Sequence, residues 1–387
     1  MLAPKLRFKE FNNEWKKERL NKISTINPKN DNLPNKFIYI DLESVQKGIL
    51  LNKNIINKIH APSRAQRTVK LNDILFQTVR PYQQNNYFVS EVCDIPYIAS
   101  TGYALIRTNQ DPYFIYTLIH RQDFLNKVMD MCTGTSFPAI NSNDLGTIEI
   151  KIPLKKEQEK ISKLFSLLNK KIELQKRKIE VLKMYKKGLS DNIYASLKEK
   201  IIELNNYAIV QGGFAFKSEL FQKKGKPIVR ISNIYNNLVD LNDLVYYDSA
   251  LEIDKKFYVN DSDLLIAMSG ATTGKYGIYH NTYPAYLNQR VGKIICKKDT
   301  ILYYPYLYFL FGLTAYEKQL QSRLIAGAQP NISPADIENM KFKFPNINTQ
   351  KKIADMIINI TKKISIENKK LDNLNILKQS LLQQMFI

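Results

Sequence analysis

Asp144, Glu149 and Lys151 have the spacing of a nuclease centre, in which two carboxylates hold a divalent metal and a lysine assists attack by water. Ser269-Gly270-Ala271-Thr272-Thr273-Gly274-Lys275 has the look of a phosphate-binding loop. Its leading glycine is replaced by serine, however, and Tyr276 stands where Ser or Thr must hold magnesium, so a nucleoside-triphosphate site is excluded. Cys93, Cys132 and Cys296 are odd in number and far apart, and His60, His120 and His280 are equally scattered. Neither set makes a zinc site or a disulfide framework, and they read as ordinary core or surface residues. No Ser/His/Asp or Cys/His nucleophile set can be assembled either. The residues read as those of a binder.

The charge balance points to what is bound. Lys and Arg exceed Asp and Glu by 21 over 387 residues of otherwise ordinary composition, which favours a polyanionic partner, nucleic acid before anionic membrane. The length suits two globular units with real cores. The longest uncharged stretch, 300–316, carries Pro305 and five tyrosines and falls short of the roughly 20 apolar residues of a membrane span. Residues 1–10 alternate charged and apolar types, without a secretory signal. A cytoplasmic protein with no membrane partner is expected.

The elements that position these residues occur twice. A shift of 192 residues aligns Pro138 with Pro330, Ile140 with Ile332, Asp144 with Asp336, Pro153 with Pro345 and Gln158 with Gln350 without a gap. Upstream the shift drifts to 193 for Gly134 with Gly327, and to 190 for Asp73-Ile74-Leu75-Phe76 with Asp263-Leu264-Leu265-Ile266, as loops of unequal length require. The duplication bears on the nuclease reading: the counterpart of Asp144, Glu149 and Lys151 is Asp336, Lys341 and Lys343, with lysine in place of a ligand. The shared element is therefore a feature of the fold. Asp111-Pro112-Tyr113-Phe114 resembles the Asp-Pro-Pro-Tyr of adenine methyltransferases but lacks the second proline, and Pro305-Tyr306 repeats it as a helix start.

Each copy ends in a long helix. Ile161, Phe165, Leu168, Ile172, Gln175, Ile179, Leu182, Lys186, Leu189 and Ile193 follow the four-three steps of a coiled-coil seam. Ile353, Ile357, Ile360, Ile364, Glu367, Leu371, Leu374, Lys378, Leu381 and Met385 repeat it, with polar breaks at the same two places. Paired helices of about 40 residues, rods on the order of 60 Å, are expected to follow Pro153 and Pro345. The globular parts mix strands (37–42, 73–79, 147–152; 227–231, 263–268, 341–344) with helices starting near Pro112 and Pro305, without a βαβ rhythm. The expected fold is mixed α/β, with two pseudo-symmetric globular domains (1–152 and 198–344), each followed by a long helix (153–197 and 345–387). The two helices should pair as an antiparallel coiled coil.

Stretches spanning nearly the whole chain resemble the DNA specificity subunits of bacterial type I restriction-modification systems. In the first half these are 37–42 (FIYIDL), 62–67 (PSRAQR), 73–82 (DILFQTVRPY) and 133–140 (TGTSFPAI). In the second they are 211–216 (QGGFAF), 228–234 (IVRISNI), 263–275, 287–290 (LNQR) and 326–333 (AGAQPNIS). The resemblance implies two target-recognition domains, each binding one half of a split site in double-stranded DNA, with the helices as a ruler between them. It implies two methyltransferase subunits docked on this framework and motor-nuclease subunits that join for cleavage. S-adenosylmethionine, ATP and Mg would be used by those partners, and this chain would hold no cofactor, metal or catalytic residue. The rival readings are a stand-alone DNA-binding regulator and a metal-dependent nicking enzyme built on Asp144 and Glu149.

By loop position and side-chain type, the expected base readers are Arg64, Arg67, Arg80, Tyr82 and Gln83 in the first domain. In the second they are Ser269, Thr272, Thr273, Lys275, Asn288, Gln289 and Arg290. Arg pairs with guanine and Asn or Gln with adenine, whereas Lys275 suits a phosphate. The alternative for each is a solvated loop or a structural turn. The segments 135–138 and 328–331 read as shared architecture first and DNA contact second. The 14 basic and 6 acidic residues of 155–200 serve either intervening DNA or solvation of the rod.

Overall fold

The structure, a computed structural model, describes residues 3–29, 32–235, 237–248, 253–324 and 330–387. The motif residues 326–329, Gly327 among them, lie outside the described residues. The chain forms two compact units: Met1–Lys176 with Lys369–Ile387, and Arg177–Asn368. The central helix, Lys155–Ser196, and the C-terminal helix, Ile347–Gln384, thus each give one half to each unit.

Both units are mixed α/β and follow one plan. In the first, one four-stranded sheet runs Asn54–Asn57, Lys36–Ile40, Tyr97–Ser100, Ala65–Val69, with its middle two strands parallel. A second, antiparallel sheet runs Ser24–Ile26, Tyr103–Thr108, Ile74–Gln77, Tyr87–Phe88. The second unit repeats the first sheet as Val245–Tyr247, Lys226–Val229, Ala285–Leu287, Tyr258–Val259, again with a parallel middle pair. Its other sheet begins Ala208–Gly212, Val291–Cys296, Leu264–Ala267, Tyr276–Ile278 and gains two short edge strands.

The burial of the strand pair that matches at a shift of 190 explains its apolar runs, residues 74–76 and 264–267, with the buried Gln77 at the end of the first strand bonded to Gln83. Side chains alternate across a strand, so one buried on both faces must be apolar throughout. Ile74 and Phe76 enter the core beneath the helices while Leu75 enters a second core on the other face. Leu264 and Ile266 divide from Leu265 and Ala267 in the same way.

The seam positions on both helices are all buried or half-buried. In the first unit Ile161 and Phe165 share a core with Leu382, Met385 and Phe386. In the second, Ile353, Ala354 and Ile357 share one with Ile193 and Tyr194. The start of each helix thus lies beside the end of the other, which is antiparallel pairing. Its polar break Glu367 is buried and pairs with Lys178 at 3.1 Å, and burial pushes the ammonium pKa values of Lys186 and Lys378 down.

Two buried glutamines anchor the helix entries. Gln158 accepts from the Asp111 N–H (3.0 Å) and donates to the Pro153 carbonyl (2.9 Å). Gln350 accepts from the Tyr303 N–H (2.9 Å) and donates to the Pro345 carbonyl (2.7 Å). Each ties the prolyl turn before a long helix to the segment that opens the Tyr-rich helix, Pro112–Leu118 or Tyr306–Phe311.

Candidate nucleic-acid interface

The loops after the matched central strands carry most of the candidate readers, and their backbones are anchored alike in both units. The Arg80 N–H donates to the Pro138 carbonyl (2.8 Å) and the Gly270 N–H to the Pro330 carbonyl (3.2 Å). Ile140 reaches back to Thr78 (3.0 Å) as Ile332 does to Met268 (2.9 Å). Arg80 and Gly270 are both left-handed, at φ 53° and 77°. One scaffold is therefore used twice with different side chains.

In the first unit Arg80, Tyr82 and Gln83 share one turn, Pro81–Gln83 with its cap. Arg80 lies over the ring of Phe137, its guanidinium carbon 4.4 Å from the centroid, and Tyr82 is exposed. Gln83 is also exposed, but its side-chain carbonyl accepts from Gln77 (2.9 Å), which ties it to the turn. Arg64 and Arg67 belong to the other sheet: Arg64 is exposed just before the strand Ala65–Val69, and Arg67 lies within it. Burial pushes the Arg67 guanidinium pKa down, and its buried Nε has no hydrogen-bond partner among the described residues.

In the second unit Ser269, Gln289 and Arg290 meet around a cleft of about 760 Å³, which Asn331, bridged to Ser269 as an antiparallel pair, also lines. The Ser269 hydroxyl is buried without a partner among the described residues. Asn288 is half-buried and its side-chain oxygen accepts from the Arg290 N–H (3.4 Å). Lys275 is exposed, with its ammonium 5.7 Å from the Tyr235 ring centroid. Thr272 and Thr273 are turned inward: their hydroxyls donate to the carbonyls of Ile231 (3.0 Å) and Pro330 (2.7 Å). These two brace the loop.

The same geometry disposes of the phosphate-loop likeness. The N–H groups of Gly270, Thr273, Gly274 and Lys275 all donate to main-chain carbonyls, so they do not form an anion cradle. The acidic set is likewise taken up by the fold. Asp144 and Asp336 sit in the first turns of two short helices, hydrogen-bonded to the N-caps Asn141 and Ser333, and Glu149 pairs with Lys17 at 2.8 Å. Among the described residues no three His, Cys, Asp or Glu side chains gather as metal ligands.

Several exposed groups escape a reading of seam positions and motifs. Tyr235 lies one residue beyond a quoted motif. On the long helices Leu174, Ile376 and Leu377 of the first unit are exposed, as are Ile366, Met184 and Tyr185 of the second. These trios coincide under the 192-residue shift, and that coincidence was the available signal.

A family model described as the type I restriction modification DNA specificity domain matches residues 12–184 and again 199–375. The chain belongs to this DNA-specificity family. The MjaVIII specificity subunit of Methanocaldococcus jannaschii is 25% identical over 310 residues, 74% of this chain and 72% of that protein. The HindI specificity subunit of Haemophilus influenzae is 28% identical over 169 residues, 42% of this chain and 36% of that one. The fold matches a crystallised type I S subunit from M. genitalium with a TM-score of 0.63 at 16% identity, covering 100% and 99% of the two chains. A chain from a study of type I complex assembly matches with a TM-score of 0.59 at 20% identity, covering 96% and 97%. The duplicated scaffold is thus matched twice by the family model, and the loop residues above are among the positions at which its two copies differ.

Proposed function

We infer that this specificity chain binds a split sequence in double-stranded DNA, each unit reading one half, and carries no catalytic step itself. The observation that supports this best is the reader loop built twice on one hydrogen-bond pattern, with Arg80 and Phe137 in one copy and Ser269, Gly270 and the Gln289–Arg290 cleft in the other. Equal frames with unequal side chains suit two different half-sites. Base-edge contacts supply sequence discrimination, while the chain's excess of 21 positive charges supplies affinity through release of counterions from phosphates.

The exposed trios support a second role, as a scaffold. Leu174, Ile376 and Leu377, and their counterparts Ile366, Met184 and Tyr185, present equivalent apolar surface once in each unit. Two copies of one methyltransferase subunit suit such a pair, and a stand-alone regulator has no use for it. In this reading those subunits methylate adenine with S-adenosylmethionine, motor-nuclease subunits cut with ATP and Mg, and the complex works in the cytoplasm. No helix among the described residues is long and apolar enough to cross a membrane.

The test is the affinity of the chain with its methyltransferase partner for its methylated motif against salt. A fall of about 10³-fold or more between 50 and 200 mM is expected for six or more phosphate contacts. A flat response contradicts DNA as the ligand.

A further inference from the structure

Left-handed backbone is the natural territory of glycine, and a long side chain there is strained. The second unit obeys this with Gly270 at φ 77°, whereas the first holds Arg80 at φ 53° in the same hydrogen-bonded place. A strained residue kept where the chain's own duplicate shows the strain-free solution marks a side chain with a task.

The surroundings say which task. The Arg80 N–H is fixed on the Pro138 carbonyl (2.8 Å), and its own carbonyl accepts from the Gln83 N–H (3.0 Å). Its guanidinium lies on Phe137, which stays 60% exposed instead of entering a core. Among the described residues no carboxylate or carbonyl takes the guanidinium's donors. Both the backbone and the cation plane are therefore set before any ligand arrives, and the fork of N–H donors at the plane's edge is unspent.

The geometry points to Arg80, stacked on Phe137, as a preorganised reader of one guanine edge in the half-site bound by the first unit. A flat fork matches guanine O6 and N7 in the major groove, whereas a phosphate grip asks only for charge and needs no aromatic plate. This assignment rests on the first unit being a DNA reader. Phe137, which by sequence reads as architecture, becomes the residue that aims the arginine.

The experiment is selection from randomised duplex DNA by the full chain with its methyltransferase subunits, comparing wild type with Arg80→Gly, Arg80→Lys and Phe137→Ala. Thermal melting checks that each variant folds, and Arg80→Gly should melt no lower than wild type. Wild type should enrich two half-sites, one with an invariant guanine. Both Arg80 variants should lose at least tenfold of the preference for that guanine while the other half-site is still selected, and Phe137→Ala should lose severalfold. Undiminished preference in Arg80→Lys overturns the proposal. So does uniform weakening on all sequences with a shallower salt slope, which is the signature of a phosphate contact. If wild type enriches no sequence, the DNA-reading function itself falls; if it enriches two half-sites that the Arg80 variants leave intact, only the role of Arg80 falls.

Discussion

Removing Gln158 tests whether the helix entries are held as described. Its side chain is fully buried, and Gln158→Ala strips the Asp111 N–H of its acceptor and the Pro153 carbonyl of its donor. Each main-chain group left unsatisfied costs about 1–3 kcal/mol, so the pair should lower stability by about 2–6 kcal/mol. Gln350→Ala, which orphans the Tyr303 N–H and the Pro345 carbonyl, should cost the same. The only tryptophan of the chain, Trp15, packs in the first core against Phe114 and Phe386, so its fluorescence reports on that unit. In urea, with a slope of roughly 2–3 kcal/mol/M, Gln158→Ala should move the fluorescence midpoint down by about 0.7–3 M. Gln158→Glu keeps the acceptor but loses the donor to Pro153 and buries a charge, so it should be no better at neutral pH and should improve in acid, where the carboxyl donates again. A loss below about 0.5 kcal/mol in both alanine variants would refute the idea that these glutamines lock the rods to the readers.

Three further outcomes follow from the structure. Ile376→Asp with Leu377→Asp should remove one methyltransferase subunit, and Met184→Asp with Tyr185→Asp the other; native mass spectrometry reads the count, and two subunits retained in either pair would end the docking proposal. His120, whose Nδ1 donates to the Tyr116 carbonyl (2.7 Å), is pushed by burial down to about 4, with Lys378 nearby adding to the shift. Its lowered pKa means that the unfolded chain takes the proton first. Stability of the first unit should therefore be full above about pH 6.5 and fall by up to about 3 kcal/mol as pH drops toward 4. His120→Asn should flatten that slope in the Trp15 signal. Asp144→Ala should cost only about 0.3–1 kcal/mol through loss of a first-turn carboxylate, and should leave metal-dependent nicking by the assembled complex unchanged. Nicking lost with Asp144 would restore the nuclease reading.

Much of this architecture was legible because the chain states it twice. Gln158 and Gln350 align without a gap since each performs the same pair of hydrogen bonds, and a position with two partners tolerates little else. The seam was legible because its period follows from helix geometry, down to the polar breaks at Glu367 and Lys378. The sheet order was not, because strands of two to six residues joined by a parallel middle pair leave no local trace of their partners. Loop position marked Thr272 and Thr273, but side-chain type did not reveal that their hydroxyls face inward. The exposed helix trios were hidden for the opposite reason, since the seam already accounted for the apolar content of those helices.

The most direct measurement is a genome-wide map of N6-methyladenine in a host carrying this chain, set beside one in which residues 205–330 are replaced by the same region of another family member. Two readers on one repeated frame predict that a single half of the methylated motif changes while the other half persists. Replacement of both halves, or of neither, would contradict the account.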